Sequence, residues 1–320
     1  MPEQQSLSAL KVQLQSIIVG QEALLDRLII ALLAGGHVLL EGPPGLAKTT
    51  VVHALASGLD ASFQRVQFTP DLMPGDLTGS EIYEPANGSF RFVSGPLFHE
   101  ILLADEINRA PPKVQSALLE AMAEHQVTVG GTTRRLPELF MVLATQNPLE
   151  QSGTYPLPEA QLDRFLFKIV LDYPSLSEEI EITRRARTAY DGHVEAAVSA
   201  VLKPVDLLAL RDRVDEVFIE ERVERFAVEI VVATRKLGDY VAEWRGMVQA
   251  GASPRASIAL LRAASARAFL ERRDYVLPED VIALAPDVLR HRLVLDFAAE
   301  ADAVSADDIV HRLIAAVPSP

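Results

Sequence analysis

Several groups of residues in this 320-residue chain have the types and spacing to do chemistry. The first is Gly42-Pro43-Pro44-Gly45-Leu46-Ala47-Lys48-Thr49-Thr50. Its glycines and prolines force a tight loop whose backbone N–H groups can turn inward onto phosphate oxygens. Lys48 brings a point charge for the outer phosphates, and the Thr49 hydroxyl is a Mg2+ ligand. The common phosphate loop has glycine directly before the lysine. This chain has Ala47 there, which is tolerated only where the local φ stays negative. A Pro/Gly turn beside an exposed lysine is the competing reading, and the flanking pattern disfavours it. The second group is Asp105-Glu106, directly after the apolar run Ile101-Leu102-Leu103-Ala104. Asp105 would orient Mg2+ through water, and Glu106 would accept a proton from an attacking water as general base. The third is Asn147, after Phe140 to Thr145, whose amide can bond both that water and the γ-phosphate. In isolation, Asn147-Pro148 is only a turn. Arg164 and Arg255 complete the set. Arg164 has a competing reading as a surface arginine or as the partner of Asp163. Arg255 falls in the first turn of a helix, where a cation opposes the helix dipole and an anionic ligand would explain it.

The elements that must hold these residues are legible. The apolar run His37-Val38-Leu39-Leu40, the loop and the run Val51 to Ala56 read as strand, phosphate loop and helix. Ile101–Ala104 and Phe140–Thr145 are continuous apolar runs, as expected of strands buried on both faces. Acidic or amide residues at their carboxyl ends lie on the ligand-binding edge of an α/β sheet. Ser62–Phe68 and Phe165–Leu171 supply two more strands, making five. Helices are expected over Leu7–Ile18, Ala23–Leu33 and Lys113–His125, the second stopped by Gly35-Gly36. Val19-Gly20 falls in the break between the first two. Val19 could pack on an adenine ring, although ordinary core is the simpler reading. Two hairpins interrupt the alternation. One is signalled by Asn87-Gly88 between Ile82-Tyr83 and Phe90–Val93, the other by Gly130-Gly131 between Gln126–Val129 and Thr132–Arg135. Tyr173-Pro174 marks a boundary, after which the pattern is helical. The expected organisation is an α/β nucleotide-binding core over residues 1–174, with a five-stranded parallel sheet and two inserted hairpins. An all-helical lid over residues 175–320 follows.

Composition bounds the rest. Half of the residues are apolar, cysteine is absent, and the formal net charge is −14. There are no disulfides and no thiolate metal sites. The seven histidines are scattered without ligand spacing and read as core or surface residues. The acidic balance opposes a strong nonspecific nucleic-acid binder, which needs a basic face. The amino-terminal residues lack the pattern of a signal peptide, and Leu28–Ala34 is too short to span a bilayer. The expectation is a cytoplasmic protein without membrane insertion.

Taken in order, these segments resemble the MoxR group of AAA+ ATPases over nearly the whole chain. The resemblance rests on Val19-Gly20-Gln21, Glu41 to Thr49, Gln67 to Pro74, Asp105 to Ala110, Ala144 to Pro148, Leu157 to Phe165 and Gly251 to Ala256. Ala47 fits that family, which commonly has alanine there. The resemblance implies ATP and Mg2+ as cofactors, with Lys48 and Thr49 as the Walker A lysine and metal ligand. Asp105 and Glu106 would be the Walker B pair, Asn147 sensor 1 and Arg255 sensor 2 on the lid. Arg164 would be an arginine finger acting on ATP of the neighbouring subunit, with Arg109 a weaker candidate for a role in trans. The hairpins would be the helix-2 insert and the pre-sensor 1 hairpin. The family also implies a homo-oligomeric ring, usually a hexamer, working on protein clients with a von Willebrand factor A domain partner. Competing functions are a metal-chelatase motor subunit, a nucleic-acid translocase, for which Arg134-Arg135 offers a few basic residues, and a slow nucleotide-gated scaffold.

Overall fold

The computed structural model describes residues 2–43, 45–46, 48–86, 88–148, 153–190 and 198–320. Pro44 and Ala47 of the glycine loop, and Asn87 at the first hairpin tip, lie outside the described residues. Two compact units interleave in sequence. One comprises Met1–Ile29, His37–Leu157 and Ile169–Leu208, and the other Ile30–Gly36, Pro158–Lys168 and Ala209–Pro320.

The chain begins with helices α1 (Pro2–Ile17) and α2 (Glu22–Leu33), followed by strand β1 (Val38–Glu41) and helix α3 (Lys48–Gly58). Next come β2 (Phe63–Gln67), a short helix α4 (Pro74–Thr78) and the hairpin β3 (Gly79–Glu84) and β4 (Ser89–Ser94). Strand β5 (Ile101–Asp105), helix α5 (Pro112–Glu124) and the hairpin β6 (Gln126–Val129) and β7 (Thr132–Arg135) lead to β8 (Met141–Gln146). A single turn α6 (Glu159–Leu162), strand β9 (Phe167–Val170) and helix α7 (Leu176–Tyr190) close this series.

Five strands form one sheet in the order β2-β5-β8-β1-β9. The pairs β2/β5, β5/β8 and β8/β1 are parallel, as continuous apolar strands alternating with helices require. In the central strands Ile101–Ala104 and Met141–Thr145 are all buried, whereas β2, on the edge, is half exposed and carries Gln64, Arg65 and Gln67. The register sets Gln67 beside Asp105, Ala104 beside Ala144 and Glu41 beside Gln146. The carboxyl ends of β2, β5, β8 and β1 therefore share one edge. Behind it, His37 is buried. Its Nδ1 accepts from Val142 N at 3.0 Å, so Nε2 carries the proton towards Met122 O at 3.3 Å.

Both hairpins form. In β6–β7 the pair Val129/Thr132 is closed by Gly130 and Gly131, at φ +58° and +77°. A two-residue turn with both central φ values positive matches the twist of the strands and favours glycine. The hairpins are tied by Arg134, whose guanidinium stands 4.1 Å over the Phe92 ring and 3.7 Å from Glu81 Oε1.

Helix α8 (Pro204–Asp215) spans the boundary at Leu208/Ala209, and in the other unit the main helices are α9 (Glu221–Arg235), α11 (Pro254–Leu270), α12 (Pro278–Leu289) and α14 (Ala306–Ala316), with α10 (Leu237–Tyr240) and α13 (Phe297–Ala301) as further pieces. Apolar faces including Phe226, Ile230, Leu260, Leu284 and Leu313 are buried. Prolines start α8, α11 and α12, where a missing N–H costs nothing. Buried Asp280 receives two hydrogen bonds from Arg273, at 2.7 Å each, and lies 3.2 Å from Arg267. The helical series is broken by one antiparallel pair, β10 (Val248–Ala250) with β11 (Val294–Leu295). Strands this short leave no periodicity to read. Among the described residues, no helix is long and apolar enough to cross a membrane.

Candidate functional site

The loop between β1 and α3 begins at buried Gly42, whose N–H donates to Gln146 O at 3.4 Å. A Cβ there would come within 2.7 Å of Leu171 O, so only glycine fits. Gly45 is at φ +85°, and nothing lies within 4 Å of where its Cβ would point. One glycine thus fastens the loop to the sheet, and the other gives it a backbone that most side chains avoid beside open space. Pro43 is half-buried and Leu46 buried. Lys48 opens α3, with half-buried Thr49 and exposed Thr50 in the same turn. Its Nζ donates to Gly42 O at 2.6 Å. Burial lowers the Lys48 pKa from the usual lysine value, and the carboxylates of Asp105, Glu106 and Glu41 oppose that shift. The ammonium is partly desolvated and faces a set of negative charges.

Asp105 ends β5 with both oxygens engaged. Oδ1 accepts from Thr145 Oγ1 at 2.6 Å, and Oδ2 accepts from Arg65 Nη2 at 2.6 Å and Nε at 3.1 Å. Glu106 follows in the left-handed region, at φ 57° and ψ 51°. That conformation is strained for a residue with a Cβ, and strain of this kind gathers at functional sites. Glu106 N donates to Thr145 Oγ1 at 2.8 Å, while its Oε2 accepts from Gln67 Nε2 at 2.7 Å and lies 3.2 Å from Arg109 Nε. One threonine hydroxyl therefore sets both acids. Asn147 is half-buried just past the end of β8, the strand between those carrying Asp105 and the glycine loop. Val19 is half-buried, and Gly20 is at φ +68° with Glu178 Oε1 2.2 Å from the position of a Cβ.

The remaining two candidates belong to the other unit. Asp163 is the hub there. Its carboxylate accepts from Arg292 Nε at 2.7 Å and Ser253 Oγ at 3.1 Å, and lies 3.8 Å from Arg255 Nη1. Arg255 is 69% exposed at the start of α11, and Ser253 caps that helix by accepting from Arg255 N at 3.2 Å. Arg292 also donates to Asp163 O at 3.1 Å and Phe165 O at 2.8 Å, the carbonyls on either side of Arg164, and to Leu166 O and Val288 O. The Arg164 side chain is half-buried, with a shielded Nε that has no hydrogen-bond partner among the described residues. His291 Nε2 lies 3.1 Å from Phe165 O, and burial, together with the adjacent Arg292 charge, holds its pKa well below the usual histidine value.

Residues 37–167 match the family model described as the ATPase family associated with various cellular activities (AAA), and residues 245–313 match the AAA lid domain. The chain is 47% identical to the chaperone MoxR1 of Mycobacterium tuberculosis, covering 96% of this chain and 81% of that one. It is 33% identical to the protein MoxR of Methylorubrum extorquens, covering 96% and 93%. A crystal structure of a protein from Cytophaga hutchinsonii superposes with TM-score 0.92 at 45% identity, covering 99% of this chain and 95% of that one. This chain belongs to the MoxR family of AAA+ ATPases. Membership implies nucleotide binding.

Within this MoxR-family chain, sequence reasoning missed the partners of the acidic pair. Arg65, Gln67 and Thr145 touch Asp105 and Glu106 from about forty residues away. Arg65 and Gln67 share a face because side chains alternate along a strand. A cation and an amide in otherwise strand-like Ser62–Phe68 were the available signal, but only the parallel register reveals what they face. Arg292 was missed as well, because nothing near it in sequence announces Asp163.

Proposed function

We propose that this chain binds ATP with Mg2+ at the carboxyl edge of its sheet and hydrolyses it at the subunit interfaces of a homo-oligomeric ring, a hexamer. The energy would drive chaperone-like remodelling or maturation of protein clients, with a von Willebrand factor A domain protein as partner. The observation that carries the ATPase reading is the meeting of the glycine loop, a partly desolvated Lys48 and the Asp105–Glu106 pair on one edge. The chaperone reading is supported by the name of the tuberculosis relative, and ring, partner and client by family resemblance.

The residues fit the nucleotide and its ion. Backbone N–H groups of Gly45 and Leu46 and of the amino-terminus of α3 suit phosphate oxygens. Mg2+ is usually held through one or two carboxylates together with the phosphates; Asp105 would offer the carboxylate and Thr49 a hydroxyl. When bound, the metal ion neutralises charge developing on the phosphates. Glu106 takes the proton of the attacking water, and Asn147 orients that water. Lys48 holds the outer phosphates, and Val19 and Gly20 border the base. By family resemblance Arg164 acts in trans as an arginine finger, and Arg255 acts from the lid. A guanidinium placed where γ-phosphate charge develops stabilises the transition state. Residues 1–174 would be the nucleotide-binding core and 175–320 the lid, in a protein of the cytoplasm.

Glu106→Gln is the direct test. It should retain ATP binding while turnover falls by about 100-fold or more, the scale of a lost general base. Near-normal turnover would remove Glu106 from that role. Lys48→Ala should lose binding. Mixtures of Lys48→Ala with Arg164→Ala should recover activity above either alone, because mixed interfaces join an intact pocket to an intact finger. The Glu106→Gln protein, used as bait with Lys48→Ala as control, should capture a von Willebrand factor A domain protein. Capture of nucleic acid, or of tetrapyrrole-insertion proteins, would instead favour the translocase or the chelatase motor.

A further inference from the structure

The acidic pair is already served by the chain's own residues. Asp105 Oδ2 takes two donors from a single guanidinium, Arg65 Nη2 at 2.6 Å and Nε at 3.1 Å, while Oδ1 is held by Thr145. Arg65 Nη2 also reaches Gln67 Oε1 at 3.2 Å, so the guanidinium keeps an acceptor on its own strand if it leaves Asp105. The pair is lopsided in burial. The Arg65 side chain is 48% exposed on the edge strand, whereas that of Asp105 is 17% exposed. The cation is the solvent-exposed member, and the acid is the shielded one, held also by Thr145. A carboxylate oxygen already closed by a cation is not free to a metal ion or its water shell, so arginine and metal compete for it.

We propose that Arg65 is a built-in competitor of the metal ion, an exchangeable latch on Asp105 that sets how much divalent cation is needed before the nucleotide is held with its ion. This rests on the reading of Asp105 as the metal-side acid. The exchange breaks two N–H···O contacts and returns the guanidinium to water and Gln67. It makes or breaks no covalent bond. An exposed ion pair is weak enough to be displaced, where a buried one would not be. The design therefore makes uptake of the ion graded: abundant Mg2+ opens the latch, and scarce Mg2+ leaves Asp105 paired with arginine.

The test uses the full chain saturated with a non-hydrolysable ATP analogue. Mn2+ is titrated in place of Mg2+, and free Mn2+ is read by electron paramagnetic resonance. Arg65→Met should lower the half-saturating Mn2+ concentration by about three- to five-fold, the scale of one exposed ion pair. Arg65→Lys, which keeps the charge but loses the two-donor geometry, should fall between, and it serves as the probe if the methionine variant does not fold. In an Asp105→Asn background, Arg65→Met should leave the midpoint where it was, because the oxygen in dispute is gone. An unchanged or raised Mn2+ midpoint in both Arg65 variants overturns the latch while leaving the nucleotide site intact. A wild-type chain that binds no analogue at any metal concentration overturns the nucleotide reading and the latch with it.

Discussion

Two arginine–aspartate pairs in this molecule have the same chemistry and opposite settings. Arg65 meets Asp105 on an edge strand with its side chain 48% exposed. Arg292 meets Asp163 with its side chain 3% exposed, and it also binds the carbonyls of Asp163, Phe165, Leu166 and Val288. Water competes for the first guanidinium at every moment and is excluded from the second. An exposed pair is worth little to stability and is easily exchanged, whereas breaking a buried one strands a charge and several polar groups. The contrast separates a contact suited to switching from one suited to building. Arg292 fastens the backbone on both sides of Arg164, whereas Arg65 holds only side-chain oxygens, of Asp105 and Gln67.

The largest effect expected from this contrast is on Arg292. Arg292→Met should cost about 3–5 kcal/mol, the scale of a broken buried pair, seen as a lower denaturant midpoint. Arg65→Met should cost at most about 1 kcal/mol. Equal losses in the two variants would break the comparison.

Proton uptake probes the buried side next. His291 lies beside Arg292 with its pKa depressed by burial. Below about pH 6.5, the unfolded chain binds a proton that the folded chain refuses, so stability falls as pH drops from there towards the folded pKa. One such proton contributes up to about 1.4 kcal/mol per pH unit. Denaturant titrations between about pH 7 and 5 should show a slope that His291→Gln flattens. An identical slope in both proteins would mean that His291 titrates alike folded and unfolded.

On the exposed side, a smaller loss is expected at the hairpins. Gly130→Ala places a Cβ 2.2 Å from Glu81 Oε2 at φ +58°, so the flexible carboxylate must move and the turn is strained. A loss of about 1 kcal/mol follows from the backbone alone. Adding Glu81→Ala should relieve only the steric part, which a thermal-melt cycle would resolve.

Much of this architecture is legible in the sequence. The β6–β7 hairpin falls at the residues its pattern indicates, because alternation and a Gly-Gly turn are local signals. The same holds for the buried strands β5 and β8, whose apolar runs need no partner to be recognised. Among the residues, Lys48, Asp105 and Glu106 were legible as candidates because their neighbours in sequence frame them. The pair β10–β11 was not, since strands of two and three residues have no period.

By itself the sequence determined the family, the alternation of strands and helices and which groups are candidates for chemistry, all properties of short windows of chain. Tertiary structure alone decided the order β2-β5-β8-β1-β9, and with it which side chains stand opposite Asp105 and Glu106. It also decided that Asp163 meets an arginine 129 residues away. The physical reason is that parallel pairing and helix packing join residues by register and burial, which depend on the whole core closing at once. Charge and hydrogen-bonding capacity are written into each residue, but exposure is not, and exposure is what separates the weak pair at Arg65 from the strong one at Arg292.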